Sequence, residues 1–170
     1  SMMKRKILSI LLTLAMTLTL LPATAMAEDV KGVQCDGGDG CNHKVAAIYD
    51  GSAGENPGEY HYDTLQAAIT NGTNDYYGNF KLLDDVQEDI VVGEGRIAGK
   101  YITLDLNGHT ITNAKSDTIT VQKRGKLTIT GSGTVDNVTD GRAPIYNNGT
   151  CTLSGGNYTR SKEAADNTTT

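Results

Sequence analysis

The stretch "YITLDLNGHTIT", residues 101–112, decides the fold. Ile102, Leu104 and Leu106 alternate with Thr103 and Asp105, which is the two-residue period of a strand with one buried face. Asn107-Gly108 follows at once, and Asn-Gly between apolar runs is the strongest short-range hairpin signal. A hairpin there would set Leu104 against Ile111, a reasonable cross-strand pair taken alone. The other reading is a corner, where the chain turns and continues to wind in one direction.

Working outward, the motif recurs. "ITLDLNGHTI" from Ile102, "LTITGSGTVD" from Leu127 and "CTLSGGNYTR" from Cys151 each begin apolar-Thr-apolar and soon reach glycine, at spacings of 25 and 24. A second set of apolar runs is interleaved with them: "DIVV", "TITV" and "PIYN", with Ile90, Ile119 and Ile145 spaced by 29 and 26. Units of this size signal a solenoid, in which no unit buries its own apolar face and each stacks on its neighbours. Because this regularity spans more chain than the dipeptide, the winding reading takes precedence. The expectation is an all-β right-handed parallel β-helix of about three coils, with two short strands and their corners in each unit. Ile102, Leu127 and Cys151 should share one inward column, and Leu104, Ile129 and Leu153 the next. Cys151 then replaces an aliphatic residue and is expected to be a buried, inert thiol.

The chain opens with Lys4, Arg5 and Lys6, an apolar run to Leu21 and the small-residue exit Ala25-Met26-Ala27. That three-part pattern is a secretory signal peptide covering residues 1–27, too short and too rich in threonine for a membrane span. No membrane span is expected in the mature chain. Residues 28–170 keep 12 of the 15 Lys and Arg against all 20 Asp and Glu, a net charge of −8. This balance argues against nucleic acid as a partner. The mature chain divides into a glycine-rich lead-in at 28–59, a helix cap with coils at 60–160 and a polar tail at 161–170.

Cys35 and Cys41 lie in the loop "VQCDGGDGCNHK". In an exported chain the close pair reads most simply as a disulfide; the rivals are a metal site of Cys35, Cys41 and His43, or free thiols. Upstream of the first coil, "HYDTLQAAITNG" at 61–72 predicts a short helix. Asp63 or Thr64 would cap it, Leu65, Ala68 and Ile69 form its apolar stripe, and Asn71-Gly72 ends it. Set over the open end of a solenoid, it would cover apolar surface and an unpaired edge.

"YDTLQAAI", "KLLDDVQEDIVV", "GKYITLDLNGHTIT" and "GKLTITGSGT" together resemble the N-terminal portion of the pectin-lyase-like right-handed β-helix superfamily. The resemblance covers roughly residues 43–160 and is nearest to adhesin-like secreted or surface proteins of gut Firmicutes. It implies the fold. It does not choose among lyases, hydrolases and non-catalytic adhesion modules, all of which the superfamily contains.

Asp84, Asp85, Glu88 and Asp89 are the densest acidic group, and hard oxygen donors of this kind could bind calcium, although the expectation is that the chain has no cofactor. The bland reading is a solvated acidic corner. Glycoside hydrolysis needs carboxylates facing each other across a bond, and Asp105 meets Thr130, not an acid, on the next coil. His43, His61 and His109 read as surface or turn residues, and no catalytic residue is assigned. Arg96, Arg124 and Arg142 fall in longer loops, where they could meet an acidic polysaccharide. "SKEAADNTTT" supplies no terminal cap, so an exposed C-terminal edge is expected, which fits a fragment of a longer protein, a truncated product or edge-to-edge self-association. The preferred function is a non-enzymatic module, secreted or on the cell surface, binding a glycan or host protein. The rivals are the N-terminal part of a polysaccharide lyase or glycoside hydrolase, and a structural stalk.

Overall fold

The computed structural model describes residues 32–33 and 41–162; the expected signal segment, Cys35 and the end of the tail lie outside them. Asn107 and Gly108 both take positive φ, 49° and 79°, and the His109 N–H donates to the Leu106 carbonyl at 2.9 Å. The dipeptide therefore makes the tight turn that its residues favour. The strands on either side, β6 (Tyr101–Asp105) and β7 (Thr110–Thr112), nonetheless lie in different sheets and do not pair. Each pairs in parallel with its counterpart one coil away. The local turn is satisfied, and the chain winds on.

Three coils follow from this rule. The first holds β3 (Tyr77–Leu82), β4 (Val86–Gln87) and β5 (Ile90–Val92). The second adds β8 (Ile119–Val121) to β6 and β7, and the third holds β9 (Lys126–Thr130), β10 (Thr134–Asp136) and β11 (Ile145–Asn147). β12 (Thr150–Leu153) and β13 (Asn157–Thr159) lie beyond the third coil. Each coil thus has three strands, one more than the two-strand unit expected from sequence. The additional strands are three residues or fewer, with a single inward side chain such as Ile111 or Val135, too brief to show an alternation.

The stacking makes the columns explicit. Ile102 sits beside Leu127, which sits beside Cys151; Leu104, Ile129 and Leu153 form the next row. Ile90, Ile119 and Ile145 align in the third sheet, and Val86, Ile111 and Val135 in the second. One continuous apolar interior results. Burial fades along a row: Leu104 is 1% exposed and Ile129 0%, whereas Leu153 is 49% exposed. Cys151 is half-buried rather than enclosed, and burial pushes its thiol pKa up.

Polar groups inside the winding are paired. Asn137, 1% exposed, donates its amide to the carbonyls of Ser116 and Ala143 and accepts from the Thr139 N–H. Asn113, also buried, donates to Ser116 and accepts from Val138 N–H.

At the chain-start end lie two strands, β1 (Val45–Tyr49) and β2 (Gly58–Tyr62), the second running past residue 59, the expected end of the lead-in. β1 pairs antiparallel with both β2 and β3, so this hairpin covers the outer edge of β3. Helix α1 (Leu65–Gly72) buries Leu65, Ala68 and Ile69, with Thr64 as N-cap accepting from the Ala67 N–H. The Gln66 side chain accepts from Val91 N–H at 2.8 Å and donates to Val91 O at 3.1 Å, which pairs the edge of β5 as a strand would. Both Glu88 oxygens accept from the first helical N–H groups, of Leu65 and Gln66, while Arg96 donates to the carbonyls of Thr70 and Thr73 at the other end. Opposite charges at the two ends match the helix dipole. Among the described residues no helix is long and apolar enough to cross a membrane.

Candidate functional site

In a strand that buries alternate side chains, the other residues face outward and form rows across the sheet. On the six-stranded sheet, ordered β12-β9-β6-β3-β1-β2, one outward row runs Tyr77, Tyr101, Lys126, Thr150. The adjoining row is Asn79, Thr103, Thr128, Thr152, and the third begins Lys81, Asp105, Thr130. Tyr101 is 63% exposed, and the Lys126 ammonium lies 4.3 Å from its ring centroid, a cation–π contact. A hollow of about 330 Å³ lies over this face, bounded by Tyr101, Thr103, Lys126, Thr128, Thr150 and Thr152. A second hollow, of about 400 Å³, shares Lys126 and Thr150 with it and brings in Lys123 and Arg124. On a chain of net charge −5, three cations at one edge of one face form a local reversal of sign.

That arrangement can bind. A flat aromatic ring offers an apolar platform to the C–H face of a sugar, and hydroxyls at strand spacing both donate and accept. Cations beside them favour a carboxylate or sulfate.

The acidic group expected near the first corner is divided among separate tasks. Asp85 accepts from the Thr110 N–H and Asp84 from the Asp85 N–H. Glu88 holds the start of α1. Asp89 accepts from Ala114, Lys115 and Ser116 N–H groups on the next coil. Burial alone would push the Asp89 carboxyl up, but these N–H groups outweigh it and hold it below its ordinary range. Asp84, Asp85 and His109 do approach one another, with His109 Nδ1 3.3 Å from Asp85; Glu88 and Asp89 are not among them.

Of the three loop arginines, Arg96 closes the end of α1 and Arg142 lies 3.9 Å from Asp117. Arg124 alone lines the basic hollow. Lys123, Lys126 and Tyr101 were not anticipated from sequence, although the signal was present: once the 25-residue register is set, Tyr101 and Lys126 fall side by side. Cys41 is disulfide-bonded, its expected partner Cys35 lies outside the described residues, and Cys151 is a free thiol. Comparison with protein-family models, with curated proteins and with solved structures finds no match.

Proposed function

We propose that this chain is a non-enzymatic binding module of a bacterial secreted or cell-surface protein, in the manner of the adhesin-like branch of the pectin-lyase-like superfamily that its sequence resembles. Export rests on the N-terminal basic-apolar-small pattern of residues 1–27. The ligand is an acidic glycan lying across the outer face of the six-stranded sheet. One observation carries the reading: the exposed Tyr101 ring and rows of threonine hydroxyls line one hollow, and Lys126 and Thr150 are shared with a second that brings in Lys123 and Arg124. The ring stacks on the sugar, the hydroxyls hydrogen-bond to it, and the cations select for acid groups.

A glycan array probed with the full chain, followed by calorimetry on any hit, tests the proposal. Binding to uronic-acid or sulfated glycans is expected, weakening by about 10-fold or more for Tyr101→Ala, the loss of one aromatic platform. It should also weaken as salt is raised. Silence across all glycans, or binding indifferent to Tyr101→Ala and Lys126→Glu, would leave the stalk or a host-protein ligand in its place. Release of unsaturated sugars from a pectic substrate would point to a lyase instead.

A further inference from the structure

The lead-in hairpin gathers three metal-ligating side chains of which only two were considered together from sequence. Cys41 Sγ lies 3.2 Å from His43 Nδ1 and 2.8 Å from His61 Nδ1, and the three donor atoms all fall within 4.8 Å of one another. His61 reaches the cluster because β2 pairs with β1, which comes directly after the Cys41–His43 segment. The outer nitrogens of both rings face carboxylates: His43 Nε2 is 3.7 Å from Asp63 and His61 Nε2 is 4.0 Å from Glu59. His61 is 9% exposed, and its Nε2 is buried with no hydrogen-bond partner.

With Cys41 in a disulfide, the cluster lacks the thiolate that would complete a metal site. A disulfide sulfur carries no proton, so an imidazole that hydrogen-bonds to it turns Nδ1–H inward and has no lone pair there to give to an ion. A divalent metal reverses the polarity. Nδ1 gives its lone pair to the ion, Nε2 carries the proton, and that N–H points at the carboxylate, the usual outer-shell partner of a metal-bound histidine. One thiolate and two imidazoles form a donor set suited to zinc, with a fourth position left for water or another side chain.

We propose that Cys41, His43 and His61 form a zinc site that is opened by reduction of the disulfide and closed by its re-formation. A dithiol reductant breaks the Cys41 S–S bond, giving two protein thiols while the reductant becomes a cyclic disulfide. Zinc then displaces the proton of the Cys41 thiol, which passes to solvent, and the Zn–S bond forms. Asp63 and Glu59 are positioning residues that fix the tautomers of the two rings. The zinc site is independent of the glycan face, which lies on other strands.

The test uses the full chain carrying Cys151→Ser, so that the only other described thiol is absent. It is reduced with a trialkylphosphine, which takes its oxygen from water as two thiols form, and is then titrated with zinc alone. The expected result is one zinc per reduced chain and none on the oxidised chain. Cobalt in its place should give a tetrahedral visible spectrum with a thiolate-to-metal band. His61→Ala and the more exposed His43→Gln should each weaken zinc by about 10-fold or more, and Asp63→Asn by a smaller factor. The proposal is overturned if the reduced chain takes up no zinc, if the oxidised chain binds equally well, or if His43→Gln and Asp63→Asn both leave the affinity unchanged.

Discussion

Asp89 accepts from three consecutive backbone N–H groups that lie 25 to 27 residues further along the chain, one coil away. Asp85 to Thr110, Asp117 to Ala143 and Asp136 to Ser161 take the same one-coil step. These acids staple neighbouring coils at their corners, where the ladders are interrupted and N–H groups would otherwise lack partners. Asp89→Asn should cost about 1–2 kcal/mol in denaturant unfolding at neutral pH. The carboxyls of Asp89 and Asp136 are both held below the ordinary 3.8. For Asp136, as for Asp89, burial pushes upward and hydrogen bonds, here from Ser161 and Thr159, outweigh it. Their stabilisation is therefore complete above the unfolded value and is lost as pH falls through the lower folded one. The stability gap between wild type and Asp89→Asn should shrink when unfolding is repeated in that acid range. Asn137→Ala should cost more, about 2–3 kcal/mol, because it leaves the Thr139 N–H without its acceptor and removes one of the two donors from each of the Ser116 and Ala143 carbonyls. The role of these acids was hard to read in the sequence: local composition shows charge, whereas their partners become visible only when residues 25 positions apart are set side by side.

Helix α1 is too short to persist in water by itself, and it is held at both ends by residues of the first coil and the turn after it. Glu88→Ala and Arg96→Ala should each lower stability by about 1 kcal/mol. In hydrogen exchange, protection of the Leu65–Gly72 amides should fall before that of β6 and β9. Thr64, Leu65, Ala68 and Ile69 were legible in the sequence because capping and the helical stripe are both local signals. Its clamps were not, since Glu88 stands in an acidic run and Arg96 in a loop that say nothing about a helix some twenty residues earlier. The Asn-Gly corner shows the opposite case. The dipeptide predicts its turn correctly, but what the flanking strands pair with depends on where apolar neighbours wait, and the adjoining coil supplies them. β7, β10 and β13 escaped notice because three residues with one inward side chain carry no period.

Across the whole molecule, what a core side chain contributes depends on its rung. Ile129→Ala, in a filled row with a coil on either side, should cost about 4 kcal/mol. Leu153→Ala in the same row should cost less than about 1 kcal/mol, given that half its surface is in water. Thermal unfolding of the two variants side by side checks this; equal losses would mean that the row is not graded. The repeat that made the winding legible is also the reason for the gradient, since each rung is covered by its neighbours. At one corner the coils meet backbone against backbone. Gly93, Gly125 and Gly149 stack there so closely that a methyl group on any of them would strike backbone of an adjacent turn: Gly125 for Gly93 and Gly149, Val92 for Gly125. That seam cannot be decorated. Natural variation and laboratory grafting alike must enter elsewhere, as at the loop after β10, where the space around Gly141 is open, so the molecule has a blank spine and a margin on which new specificities can be written.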